Sequence, residues 1–139
     1  MVALATQATE TRAVIAFDIR PSRGSRRTLA VQIHPSARSL MRQLHADGLP
    51  GVARAAYLPI DGQAAYGCLY FNARDIGIGL VMHEIGHAAM DWVRGVKGMN
   101  PAAVVPGIYA SPDEELLCDT IENLASQFAN QAFKRGIWR

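Results

Sequence analysis

Short runs of apolar and β-branched residues, separated by turn residues, characterise the first half of the chain. Two runs flank a segment with turn composition, 20–27, and two later runs flank Asp61-Gly62, a hairpin turn signal. Between these pairs, apolar residues recur at helical spacing until Asp47-Gly48. The patterns predict four strands and one surface helix. The predicted segments are, in chain order, strand 13–19, strand 28–33, helix 35–46, strand 55–60 and strand 67–71.

The second half of the chain has the patterns of two long helices. Residues 75–93 are apolar nearly all the way round a helix, which is typical of a central, buried element. A loop is predicted to follow, and then Ser111 fits an N-cap, Pro112 the first helical position and Glu114 the capping-box position of a last helix. The predicted core face of that helix consists of Leu117, Ile121, Leu124 and Phe128. Strands followed by helices indicate the α+β class.

Length and composition favour one globular domain. The chain has 139 residues, of which 50% are hydrophobic and 19% charged. Residues 1–11 are small and polar without periodicity and are predicted to be flexible, whereas 12–139 are predicted to form the domain. The N-terminus lacks the basic start and apolar stretch of a secretory signal, and the apolar run 76–82 is too short to cross a bilayer, so we expect a cytoplasmic protein with no membrane partner.

The net charge and the cysteines exclude further classes. A formal net charge of +2 argues against a nucleic-acid partner. The arginines of the 20–27 segment could contact phosphate, but a solvated turn is the favoured interpretation because no aromatic residue is interleaved. Cys68 and Cys118 form no Cys-x-x-Cys pair, so free thiols are expected.

A metal-binding pattern lies in the middle of the apolar helix. His83 and His87 are four residues apart and therefore separated by only about 40° around the helix axis, so both imidazoles can reach one ion. Glu84 lies about 100° from His83, where it can take a proton from water that the ion has acidified. The alternative is a pair of core histidines that only satisfy hydrogen bonds. It is disfavoured because a core rarely groups two histidines and a glutamate without a cation.

A third protein ligand has to come from elsewhere, since catalytic zinc usually takes three. Glu115, Asp119 and Glu122 fall within about 60° of one another on the last helix. Glu115 is the predicted ligand, and Asp119, one turn later, is predicted to accept the free N–H of a ligating histidine. The alternative is that this acidic stripe simply faces water.

These residues resemble a known arrangement. His83-Glu84-Ile85-Gly86-His87, followed by Glu115 and Asp119, resembles the gluzincin pattern of His-Glu-x-x-His and a later Glu-x-x-x-Asp. The chain is most similar to the ImmA/IrrE family of small phage and mobile-element peptidases, whose second motif Glu115, Cys118 and Asp119 match, whereas Thr120-Ile121-Glu122 departs from it. The resemblance implies a zincin-like metalloprotease core, in which a small twisted β-sheet packs against the HExxH helix and a Glu-bearing C-terminal helix. It also implies one zinc ion per chain and regulatory proteins as substrates.

A peptidase also needs a donor to the oxyanion of its tetrahedral intermediate. Tyr109 is the predicted donor, with Tyr66 and Tyr70 as alternatives, and for each of them packing at the core edge is an equally good interpretation. The strand 67–71 is a candidate to bind an extended peptide by edge pairing, and an ordinary internal strand is the alternative.

Two functional hypotheses follow. The first is a zinc metalloendopeptidase, a hydrolase that acts on a peptide or protein substrate with Glu84 as general base. The second is a non-catalytic binding or regulatory module in which the same ion holds two helices together, as a structural staple. Glu84 favours the enzyme, because a staple does not require it. No pattern in the sequence specifies the substrate or the oligomeric state.

Overall fold

The computed structural model describes residues 13–49, 53–62, 64–102 and 111–139. Within them, four strands form one mixed sheet: β1 (Ile15–Ile19), β2 (Thr28–His34), β3 (Ala56–Pro59) and β4 (Ala65–Asn72). The helices are α1 (Ala37–Ala46), α2 (Ile78–Asp91) and α3 (Pro112–Lys134), and a π-helical turn (Trp92–Val96) continues α2. The predicted α+β class is confirmed. The segment 1–11, predicted to be flexible, lies outside the described residues.

The sheet has the strand order β1-β2-β4-β3. The two central strands, β2 and β4, are parallel, while β1 and β3 pair antiparallel with them at the two edges. Both hairpins predicted from turn signals are therefore present. The interpretation of the strand 67–71 as a peptide-binding edge is wrong, because β4 pairs along both of its sides. The unpaired edge beside it belongs to β3.

The sheet is covered on both faces, which explains why β4 is buried along nearly its whole length. On one face Leu69 and Phe71 join Ile85 of α2 and Phe128 of α3 in the main core. On the other face Cys68 and Tyr70 of β4 join Leu40 and Leu44 of α1. Alternate residues of a strand point to opposite faces, so a strand inside three layers has to be apolar throughout.

Side-chain caps determine where two of the helices begin. The Ser36 hydroxyl accepts a hydrogen bond from the backbone N–H of Ser39 at the start of α1. The Ser111 hydroxyl likewise accepts from the N–H of Glu114 at 3.1 Å, with Pro112 as the first residue of α3. The start predicted for the last helix is thus confirmed. Across the described ranges, no helix combines the length and hydropathy needed to cross a membrane.

Candidate metal centre

Helix α2 has one buried face and one exposed face. Val81, Ile85 and Ala88 are at most 1% exposed and pack into the main core. His83 and His87 lie on the opposite, exposed side. The expectation that this helix is buried all round is therefore wrong. The sheet and α3 cover only one side of this helix, so some of its apolar residues stay in solvent. Ile78, for example, is 70% exposed.

The two histidines converge on one point. Their Nε2 atoms are 3.3 Å apart, and the rings meet edge to face with centroids 4.9 Å apart. Two zinc–nitrogen bonds of about 2.0–2.1 Å at a tetrahedral angle would separate their nitrogens by about 3.3 Å. The pair therefore has the spacing that two ligands of one tetrahedral ion require, provided that each ring carries its proton on Nδ1.

Glu84 differs from its neighbours in the motif because it is buried, with only 7% of its surface exposed. Its position, about 100° from His83, places it at the boundary between the exposed and the buried faces of α2. Within the described parts of the chain, no hydrogen bond or ion pair engages its carboxylate. Its carboxylate oxygens are nevertheless not among the fully buried, unpartnered side-chain atoms of the described residues, so they remain accessible to water.

The acidic residues of α3 lie on its outer face. Glu115, Asp119 and Glu122 are all exposed, whereas Thr120 and Leu124 on the opposite side are buried. Among the residues that the structure describes, no group of three or more His, Cys, Asp or Glu side chains is arranged to hold a metal ion. The structure thus brings His83 and His87 together but does not gather Glu115 with them. The roles of Glu115 and Asp119 stay predictions.

The structure describes two of the three tyrosines considered as oxyanion donors. Tyr109 lies outside the described residues. Tyr66 is buried, and its hydroxyl donates to the Ala88 carbonyl at 3.1 Å. The Tyr70 hydroxyl donates to Asp47 Oδ2 at 2.7 Å, on the α1 side of the sheet. Burial raises the pKa of both phenols, and both hydroxyls already have acceptors, so packing is the better interpretation for these two.

The first of two adjoining cavities begins at His87 of the metal motif. The first has a volume of about 480 Å³ and the second about 270 Å³, and Met90 and Arg94 line both. The remaining lining residues are His87, Asp91 and Gly95 in the first cavity, and Asn100, Pro101, Ala102 and Leu117 in the second. We call this continuous depression the α2 groove. It offers room for a chain segment beside His87.

A link between α2 and the sheet edge could not be identified from the sequence. The Tyr57 hydroxyl, on edge strand β3, donates to Asp91 Oδ2 at 2.5 Å, one helical turn after His87. The Tyr57 ring lies over Gly67 of β4, where any side chain would collide with it. Burial, followed by the bond to Asp91, raises the pKa of Tyr57, so the phenol stays protonated. The only signals in the sequence are an aspartate in an apolar helix and a glycine in an apolar strand.

Comparison with known proteins gives no match: no family model, no curated protein and no solved structure corresponds to this chain.

Proposed function

We propose that this chain is a zinc-dependent peptidase with a zincin-like core, in which His83 and His87 hold the ion and Glu84 is the general base. The observation that carries the proposal is the 3.3 Å convergence of the two Nε2 atoms beside a buried glutamate. A groove starting at His87 adds space for a substrate. We include Glu115, from the helix that packs against α2, as the third ligand.

Each residue of the motif then has a defined task. A zinc ion at this position would acidify water and polarise the carbonyl of the scissile peptide bond. The imidazoles of His83 and His87 are exposed and bring their Nε2 atoms to 3.3 Å from each other, where an ion could enter from solvent. Glu84 accepts the proton of the attacking water and returns it to the leaving amine.

The substrate is proposed to bind along β3. Among the described residues, this strand pairs with β4 on one side only, and it contacts α2. An extended peptide added to its free edge would use backbone hydrogen bonds for affinity and would run beside the metal helix. The bond from Tyr57 to Asp91 holds the edge strand against α2, one turn from His87. This bond would fix the position of the bound peptide relative to the ion.

The experiment that tests the proposal replaces the base alone. Glu84→Gln keeps the size of the side chain but cannot accept a proton, so zinc content should stay near one per chain while cleavage of an unstructured protein such as casein is lost. Glu122→Gln is the matched control, since it makes the same change at an exposed position of α3 and should leave both quantities unchanged. A Glu84→Gln protein that cleaves as fast as the parent would refute the general-base role.

Metal analysis of the protein purified without added metal tests the ligands. His83→Ala and Glu115→Gln should each lower zinc affinity, whereas Glu122→Gln should not. A parent protein that takes up no zinc when zinc is supplied would contradict the metal site itself. A parent that holds zinc through four protein ligands and cleaves nothing would support the zinc-stapled regulatory module instead.

A further inference from the structure

The loop that joins β1 to β2, residues 20–27, is held firmly against the far part of α3. The side-chain amide of Gln127 accepts a hydrogen bond from the Arg20 backbone N–H at 2.9 Å and donates one to the Arg20 carbonyl at 2.7 Å. Asn123 adds a bond from Nδ2 to the Pro21 carbonyl at 3.2 Å. These contacts join residues more than 100 positions apart in the chain. The loop therefore has a fixed position on the helix.

The internal shape of the loop is also determined. Ser25 N–H donates to the Ser22 carbonyl at 3.2 Å, closing a turn in which Gly24 has a φ of 73°. The guanidinium of Arg20 donates to the Ser25 carbonyl at 3.0 Å, and that of Arg27 donates to the Gly62 carbonyl at 2.7 Å. A turn held by this many bonds presents its remaining groups in one arrangement.

A cavity of about 320 Å³ lies between this loop and α3. Its lining consists of Arg20, Ser22, Arg23, Gly24, Asn123, Ser126 and Gln127. The lining thus offers two guanidinium groups, two hydroxyls and two amides, and it contains no carboxylate. The acidic residues nearest in the chain are Asp18 and Glu122, both exposed, against the four arginines of the loop. Such a set of donors suits an oxyanion and does not suit a cation.

We propose that this cavity binds the phosphate of a phosphorylated serine on a partner protein. Arginine forks match phosphate oxygens bidentately, and the hydroxyls of Ser22 and Ser126 can donate to the oxygens that remain, whereas the side-chain N–H groups of Gln127 already donate to the Arg20 and Asn123 carbonyls. The cavity has room for the phosphate and the side chain that carries it. Nucleic acid is a weaker candidate, since no aromatic side chain lines the cavity to stack on a base. The site is separate from the α2 groove and independent of zinc.

The test compares two arginines of the same loop. Arg23 and Arg26 are both exposed, and only Arg23 lines the cavity. Calorimetric titration with the peptide acetyl-Gly-Ala-phosphoserine-Ala-Gly-amide should show binding that its unphosphorylated twin lacks and with which inorganic phosphate competes. Arg23→Gln should weaken this binding about 10- to 100-fold, while Arg26→Gln, with the same change in net charge, should weaken it about 2-fold or less.

Three results would overturn the proposal. Equal binding of the phosphorylated and unphosphorylated peptides would show that the cavity does not recognise the phosphate group. Equal losses in Arg23→Gln and Arg26→Gln would indicate diffuse electrostatic attraction without a built site. Tighter binding of a single-stranded oligonucleotide than of the phosphopeptide, with an affinity that falls steeply with salt, would assign the basic loop to nucleic acid. Both variants should melt at the temperature of the parent, so a folding defect is recognised separately.

Discussion

Replacing Gly67 by alanine tests the contact that joins the sheet edge to the metal helix. A Cβ at this position would lie 2.6 Å from Cζ of Tyr57 and closer still to its Oη and Cε1. An ordinary contact begins near 3.4 Å, so the ring has to move by about 1 Å. If the ring moves directly away from Asp91, the bond from Tyr57, now 2.5 Å long, lengthens to about 3.5 Å, outside the range of a hydrogen bond.

The cost has two parts. Overpacking a well-filled site destabilises a protein by about 1–3 kcal/mol. Losing the hydrogen bond to a carboxylate adds about 1 kcal/mol, at the low end of the usual range because Tyr57 and Asp91 are half-buried and water can replace part of the bond. The free energy of unfolding should therefore fall by about 2–4 kcal/mol. For a domain of this size that corresponds to a melting temperature lower by about 8–16 °C.

The assay is thermal and urea unfolding of the parent, of Gly67→Ala and of three further variants. Gly79→Ala is the matched control, because a Cβ on this exposed residue of α2 meets nothing within 4 Å, and it should stabilise the helix by about 0.5–1 kcal/mol. Tyr57→Phe should cost about 1 kcal/mol, and combining it with Gly67→Ala should cost less than the sum, since the hydrogen bond is lost only once. A Gly67→Ala protein that melts within about 2 °C of the parent would refute the packing argument.

Three further predictions concern acidity, a helix cap and the groove. Burial lowers the pKa of His34 from its usual 6.5, so the unfolded chain binds a proton more readily than the folded protein does. The free energy of unfolding should therefore fall as the pH drops below about 6.5. His34→Gln should flatten the dependence of the urea midpoint on pH between about 7.5 and 5.5. Ser111→Ala should cost about 1 kcal/mol in urea unfolding, against about 0.5 kcal/mol or less for exposed Ser126→Ala. Arg94 lines the α2 groove and can attract a carboxylate of the substrate, so Arg94→Gln should lower cleavage of peptides with glutamate beside the scissile bond about 10-fold and leave alanine peptides unaffected. Equal losses for both kinds of peptide would contradict this attraction.

The elements were predictable where their determinants are local. The helix predicted over 35–46 is Ala37–Ala46, and the last helix begins at Pro112 as its cap predicts. Capping, turn chemistry and hydrophobic spacing act over a few residues, so they can be evaluated without the fold. The same holds for the convergence of His83 and His87, because their four-residue spacing on a helix brings the two rings together.

Properties that depend on neighbours distant in the chain were not predictable. Strand 67–71 has the composition of either an edge or an internal strand, and only its pairing with both β2 and β3 makes β4 internal. Similarly, α2 has apolar residues on nearly all sides, so its sequence does not show which side the sheet and α3 will cover. The exposure of Ile78 could therefore not be predicted. Composition limits what can be buried, but the packing partners decide what is buried.

The sequence by itself determined the α+β class, the hairpins, the start of the last helix and the pair of histidines, since each depends on interactions between residues close in the chain. Only the tertiary structure decided that Tyr57 reaches Asp91 across Gly67, that Gln127 holds the loop at Arg20, and that β4 lies inside the sheet. These contacts join residues brought together when the sheet and helices pack, and no local periodicity encodes which distant side chains will meet.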